Sequence, residues 1–194
     1  METVEHIEDL PGLGNDAVHI WGAEVPMPET RLDEFKALLC NEEVAKAERF
    51  HRECDRQSSI VARGALRTLL SGYTGIPARE LRFQYLETGK PFLVPPASSQ
   101  PQEEGSRLEA GGTVGPWNVP PDEIAFNISH SGDWVVLAVG RNRNIGVDVE
   151  KIRREMDVMS IASRYFTPEE TVLIEDADDQ HLVFFNLWSR KEAY

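Results

Sequence analysis

Ile145-Gly146-Val147-Asp148-Val149-Glu150 sets two carboxylates two residues apart inside a run of β-branched apolar residues. Such a run predicts a strand over Ile145 to Val149, and side chains at i and i+2 of a strand share one face. Asp148 and Glu150 are therefore expected to aim at one point. Two ionised carboxylates so placed repel unless a cation or a shared proton lies between them. Mg²⁺ suits the pair, because it takes oxygen ligands and commonly joins one or two carboxylates to substrate phosphates. An edge strand with one wet face carrying two solvated acids is the competing reading of these six residues alone.

Phe184-Phe185-Asn186-Leu187-Trp188-Ser189-Arg190-Lys191-Glu192-Ala193-Tyr194 has helical composition. Phe184, Trp188 and Lys191 recur at i, i+4 and i+7, which is one helix face, with Glu192 beside Trp188. Taken alone, this is an amphipathic helix with an ion pair at its rim. Together with the upstream strand it suggests three carboxylates for a metal, Asp148, Glu150 and Glu192, and Lys191 for phosphate oxygens.

The two stretches, Ile145–Glu150 and Trp188–Ala193, closely resemble the signature of the surfactin-type 4′-phosphopantetheinyl transferases. Further segments carry the same resemblance in the same order. Arg49-Phe50, Asp55-Arg56 and Ile60–Arg67 resemble the family's first long helix. Gly89-Lys90-Pro91 resembles its G-K-P element, and Phe126–Ser131 its F-N-(I/L)-S-H-S element. Phe166–Glu170 resembles the segment between the metal-ligand motifs. Each is weak alone; their order and spacing, from about Val18 to the last residue, carry the likeness.

The resemblance implies an α+β fold of two similar pseudo-twofold halves, 1–122 and 123–194, with the active site in the cleft between them. It implies further strands after the lysine–glutamate helix, so the second half is expected to be incomplete at its C-terminus. The activity implied is transfer of the 4′-phosphopantetheine arm of coenzyme A to a serine of an apo acyl or peptidyl carrier protein, releasing 3′,5′-ADP, with Mg²⁺ as cofactor. By the same resemblance, Lys90 in its Gly89–Pro91 turn serves the nucleotide, and Ser129 with His130 holds phosphate oxygens. Lys46, Arg49 and Arg56 bracket the 3′-phosphate. Asp148, Glu150 and Glu192 hold the metal, and Lys191 neutralises the diphosphate. Glu170, or a water it orients, takes the proton of the carrier serine, with Glu169 as its adjacent competitor. Two alternatives stay open: an inactive coenzyme A- or carrier-binding remnant, and an unrelated Mg²⁺-dependent phosphohydrolase. A serine hydrolase is excluded, since no G-x-S-x-G elbow occurs.

The 194 residues carry a formal net charge of −13. That balance argues against nucleic acid, which requires a basic footprint. No apolar run is long enough to span a bilayer, and residues 1–9 are acidic rather than basic-then-apolar, so no membrane or export segment is expected. Cys40 and Cys54 lack metal-ligand spacing and are expected to be free thiols of a cytoplasmic protein. A monomer is expected. Arg141, Arg143, Lys151, Arg153 and Arg154 form a local basic patch around the carboxylate strand, suited either to an acidic carrier or to an ordinary solvated turn.

Periodicity and breakers give the rest of the layout. Strands are expected at Val18–Gly22, Leu81–Leu86, Ile124–Ile128, Trp134–Val139 and Ile145–Val149, the last three antiparallel. Helices are expected at 29–39, 42–50 and 56–73, then two more after Ser160 and Gln180. Residues 98–115, rich in Pro, Gly, Ser and Glu, are expected to be a disordered insertion.

Overall fold

The computed structural model describes residues 10–87, 89–94 and 123–193. The expected insertion at 98–115 lies outside the described residues. The elements follow in the order β1 (Val18–Glu24), α1 (Glu29–Leu38), α2 (Asn41–Glu48), α3 (Glu53–Thr74), β2 (Arg82–Tyr85), β3 (Pro91–Val94), β4 (Ile124–Ser131), β5 (Trp134–Arg141), α4 (Val158–Tyr165), α5 (Pro168–Glu175) and α6 (Gln180–Glu192). The architecture is α+β.

The longest helix, α3, organises the first core. Its apolar residues Ile60, Val61, Leu66, Leu69, Leu70 and Tyr73 recur at helical spacing and are all buried. It ends at Gly75, whose N–H reaches the carbonyl of Ser71. α1 and α2 pack on it from one side. On the other lies an antiparallel sheet in the order β1-β5-β4. β1 pairs with β5 from Val18↔Gly140 to Glu24↔Trp134, and β4 pairs with β5 through the Gly132-Asp133 turn. Val135, Leu137 and Val139 of β5 and Phe126 of β4 complete this core. A second cluster holds Val158, Ala162, Ile174, Phe184 and Phe185, with Phe166 and Trp188 packed against it.

Three local expectations are corrected. Residues 145–149 form no strand; the third strand of the sheet is β1, from the other end of the chain. Phe92 to Val94, unassigned from the sequence, pair as β3 with β2, Tyr85 opposite Pro91. Proline at the first position of a two-stranded edge removes no needed donor. Finally, three helices close the chain rather than two. Thr167 caps a separate α5 in a reciprocal capping box with Glu170, and Pro168 occupies the first helical position. That cap divides α4 from α5.

Candidate active site

β4 alternates its side chains, and each face has its own task. Ile124 and Phe126 point into the first core. Asn127, Ser129 and Ser131 share the other face and bind the stretch that follows β5. The Val147 N–H donates to Asn127 Oδ1 (3.0 Å), the Val149 N–H to Ser129 Oγ (3.2 Å) and the Lys151 N–H to Ser131 Oγ (3.1 Å). The offset is 20 residues each time, so this segment runs in the direction of β4. Side-chain oxygens stand where a neighbouring strand would offer carbonyls, which is why 145–149 is extended without being a strand.

The same serines reach the two carboxylates. Ser129 Oγ donates to Asp148 Oδ1 at 2.6 Å, and Ser131 Oγ donates to Glu150 Oε2 at 2.9 Å. Asp148 and Glu150 therefore turn toward one face. Asp148 Oδ2 is buried and has no hydrogen-bond partner among the described residues. A buried ionised oxygen without a donor is costly to leave so, and a hard cation is what such an oxygen accepts. The residues present thus fit a divalent ion at Asp148 and Glu150.

Gly146 begins this segment at the end of α6. A Cβ built on it would lie 1.4 Å from the carbonyl oxygen of Ala193. Only glycine permits that approach, which sets the last turn of α6 against the carboxylate segment. Glu192 lies in that turn and is exposed. Among the described residues, no three His, Cys, Asp or Glu side chains converge as a metal-binding group. The structure thus brings Asp148 and Glu150 onto one face but does not gather Glu192 with them.

Lys191 turns the other way. Its Nζ pairs with Glu170 Oε2 at 2.9 Å and sits 5.2 Å from the Phe166 ring centroid. Glu170 Oε2 also accepts from the Thr167 N–H at 2.9 Å. That backbone donor and the Lys191 ammonium hold the Glu170 carboxyl below its ordinary range. Glu169 is exposed on the same helix.

A cleft of about 730 Å³ opens between α2, α3, the β2–β3 hairpin and β4. Lys46, Gly89, Lys90, Pro91 and His130 line it, as do Arg63, Arg67, Arg79 and Arg82. Glu42 and Glu43 line it too, and the excess of cations over these two acids, in a chain of net charge −13, suits the cleft to an anion. The availability of the cations differs. Arg67 is buried and committed to Glu43 Oε2 at 2.8 Å and to the carbonyl of Ala78 at 2.6 Å. Lys90 Nζ donates to the carbonyl of Ile145 at 2.7 Å, tying the hairpin to the carboxylate segment. Arg63 lies over the rings of Phe83 and Tyr85, and donates to the Tyr85 hydroxyl at 3.0 Å.

Arg49 and Arg56 do not line the cleft. Arg49 caps the C-terminus of α2, and Arg56 donates to Glu53 (2.6 Å) and to the carbonyl of Phe50 (3.3 Å). Sequence reasoning gave no role to Arg63, Arg79 or Arg82. The i, i+4 spacing of Arg63 and Arg67 on α3 is the signal that places one of them beside the other. The basic patch is largely neutralised: Lys151 pairs with Asp133, Arg154 with Asp179, Arg141 with Glu123, and Arg143 donates to the Asn15 carbonyl.

No helix among the described residues is long and apolar enough to cross a membrane. Residues 26–107 match the sequence family described as 4′-phosphopantetheinyl transferase, N-terminal, and residues 144–194 match the 4′-phosphopantetheinyl transferase superfamily. The chain is 34% identical over 182 residues to the 4′-phosphopantetheinyl transferase HetI of Nostoc sp., covering 93% of this chain and 68% of that protein. It is 28% identical to a phosphopantetheinyl transferase of Thraustochytrium sp., over 92% of this chain and 59% of that protein. To the 4′-phosphopantetheinyl transferase Sfp of Bacillus subtilis it is 27% identical, over 87% of this chain and 64% of that protein. The chain thus spans from 59% to 68% of the length of these relatives.

Proposed function

Because this chain belongs to the 4′-phosphopantetheinyl transferase superfamily, we propose that it moves the phosphopantetheine arm of coenzyme A to a serine of an apo acyl or peptidyl carrier protein in a Mg²⁺-dependent reaction. The observation that carries this is the cation-lined cleft, joined through Lys90 and Asn127 to the segment that bears two serine-held carboxylates. Coenzyme A carries a diphosphate and a 3′-phosphate, and the cleft offers cations for both.

In this reading Lys46, Arg79, Arg82 and His130 take the nucleotide phosphates, and Gly89–Pro91 shapes the wall beside them. Arg49 and Arg56 stay candidates only for a bound state in which their side chains swing toward the cleft. Asp148 and Glu150 would hold the Mg²⁺; Glu192, which is not gathered with them, stays a candidate third ligand only for the metal-bound state. The ion supplies charge neutralisation at the diphosphate, the main requirement of phosphoryl transfer. The carrier serine Oγ bonds to the β-phosphorus, and the bond from that phosphorus to the oxygen of departing 3′,5′-ADP breaks. The serine proton goes to Glu170. Its contacts with Thr167 and Lys191 both fall on Oε2, which leaves Oε1 to accept a proton. Lys191 then keeps Glu170 ionised beforehand and neutralises phosphate oxygens as substrate enters. The halves 1–122 and 123–194, a monomeric state and a cytoplasmic location belong to the same proposal.

The test is mass spectrometry of several apo carriers incubated with the protein, coenzyme A and Mg²⁺. The expected result is a carrier gaining one phosphopantetheine on serine, with 3′,5′-ADP released in equal amount. Coenzyme A cleaved in the absence of any carrier, with no carrier modified, would overturn the reading in favour of a phosphohydrolase.

A further inference from the structure

We infer that Arg67 is a positioning residue for the nucleotide: from beneath the cleft it sets where Lys46, Arg79 and Arg82 stand around it. The inference rests on the reading of that cleft as the nucleotide site.

Arg67 belongs to α3 and has only 3% of its side chain exposed. A guanidinium taken out of water is costly unless its donors are bonded and its charge is paired. Here the bonds go to different pieces of chain. Nε donates to Glu43 Oε2 of α2 at 2.8 Å. Nη1 donates to the carbonyls of Ala78 (2.6 Å) and Leu81 (3.3 Å), in the turn between α3 and β2. The guanidinium carbon lies over the Phe83 ring of β2, 5.2 Å from its centroid. One buried side chain thus joins α2, the turn and β2 to α3.

Each hydrogen-bonded anchor is close in sequence to a cation that lines the cleft. Lys46 follows Glu43 by three residues of α2, so the two are neighbours on that helix. Arg79 follows Ala78 directly, and Arg82 follows Leu81 directly. The three cations are themselves exposed, so the origins of their long stems are what the buried residue holds. Glu43 is shared: its Oε2 also accepts the Cys40 N–H at 3.0 Å, which fixes the first turn of α2. Lysine at position 67 would keep the charge, but a compact ammonium lacks the planar fork that spans these acceptors.

The experiment measures 3′,5′-ADP binding to the whole chain by calorimetry in a chelator, at a temperature where circular dichroism shows the variants folded. Arg67→Lys is expected to weaken binding by about 10- to 100-fold, the worth of a hydrogen bond to a charged group. Lys46→Ala and Arg82→Ala remove groups that Arg67 acts through. In either background Arg67→Lys should cost less than in the wild type, because part of its effect is already gone. Glu43→Gln keeps an acceptor for the Cys40 N–H and removes the charge that Arg67 bonds. It alters the α2 side alone, so its loss should shrink with Lys46→Ala and persist in full with Arg82→Ala. Should Arg67→Lys not fold, the two Glu43→Gln comparisons decide. Losses that multiply in full in both backgrounds would make Arg67 a direct ligand or a general support, and overturn the inference. Wild-type affinity in Arg67→Lys, or Glu43→Gln coupled equally to Lys46 and Arg82, overturns it as well. A wild-type chain that binds no 3′,5′-ADP overturns the nucleotide reading of the cleft, and the inference with it.

Discussion

Trp21, Tyr73 and His19 form one hydrogen-bonded set at the edge of the first core. Trp21 Nε1 can only donate, and it donates to the Tyr73 hydroxyl at 3.2 Å. The Tyr73 hydroxyl also bonds His19 Nδ1 at 2.7 Å, donating to it when that nitrogen carries no proton. Burial pushes the Tyr73 hydroxyl up to about 12 and lowers His19. The folded state thus binds the His19 proton more weakly than the unfolded chain, whose value is near 6.5. Stability from this group is present above that value and declines as pH falls through it and below. Melting temperature should therefore drop on acidification more steeply in the wild type than in His19→Gln, and equal slopes would show that His19 is not the sensor. Tyr73→Phe strands the Trp21 N–H and should cost about 1–3 kcal/mol in a denaturant titration. Asp148→Asn is expected to behave differently. It keeps an acceptor for Ser129 and removes an unsatisfied buried charge, so the melting temperature should hold or rise while Mn²⁺ binding is lost. A clear drop in melting temperature would mark Asp148 as structural.

Elements here meet through a few side chains and close approaches. The segment 147–151 is joined to β4 by three side chains rather than a backbone ladder. Gly146 lets the carbonyl of Ala193 touch the chain where a Cβ would be. Gly146→Ala must push the last turn of α6 away, and overpacking of this kind costs about 1–3 kcal/mol. Faster hydrogen exchange over 189–193, with α3 unchanged, is the expected readout; unchanged exchange there would show the contact to be slack. At α5, the Thr167 hydroxyl accepts the Glu170 N–H, and the Thr167 N–H donates back to the Glu170 carboxylate. Thr167→Ala should cost about 0.5–2 kcal/mol through the lost cap. The Thr167 N–H stays in place, so the Glu170 carboxyl should remain low in an NMR titration; a return to the ordinary range would assign its depression to the hydroxyl.

At the scale of the molecule, the sheet crosses the division at residue 122. β4 and β5 follow it, yet Ile124, Phe126, Val135, Leu137 and Val139 lie in the core built on α3. Their partner β1 comes from the start of the chain. Residues 123–194 expressed alone would expose those five side chains, each worth about 1.5–3 kcal/mol when buried. That piece should show no cooperative melt by circular dichroism; a sharp transition would mean that the second cluster around Phe184 suffices by itself.

Local pattern carried much of this protein. The apolar spacing of 56–73, the alternation of 81–86 and the β4–β5 pair were legible because each reports one element's own buried face. The shared direction of Asp148 and Glu150 was legible too, since i, i+2 geometry needs only an extended chain. The capping box is local too, since Thr167-Pro168-Glu169-Glu170 carries both of its partners and a proline at the first helical position. Other features had no local signature. Whether 145–149 pairs as a strand depends on what lies beside it, and only the fold places three polar side chains of β4 there. β1 joins β5 across more than a hundred residues, a pairing no window of sequence contains. The collection of Lys46, Arg63, Arg79, Arg82 and Lys90 into one cleft comes from three separate stretches. Sequence states what each residue can bond; the tertiary structure decided which bonds were already taken, because only neighbours in space compete for a proton or a lone pair.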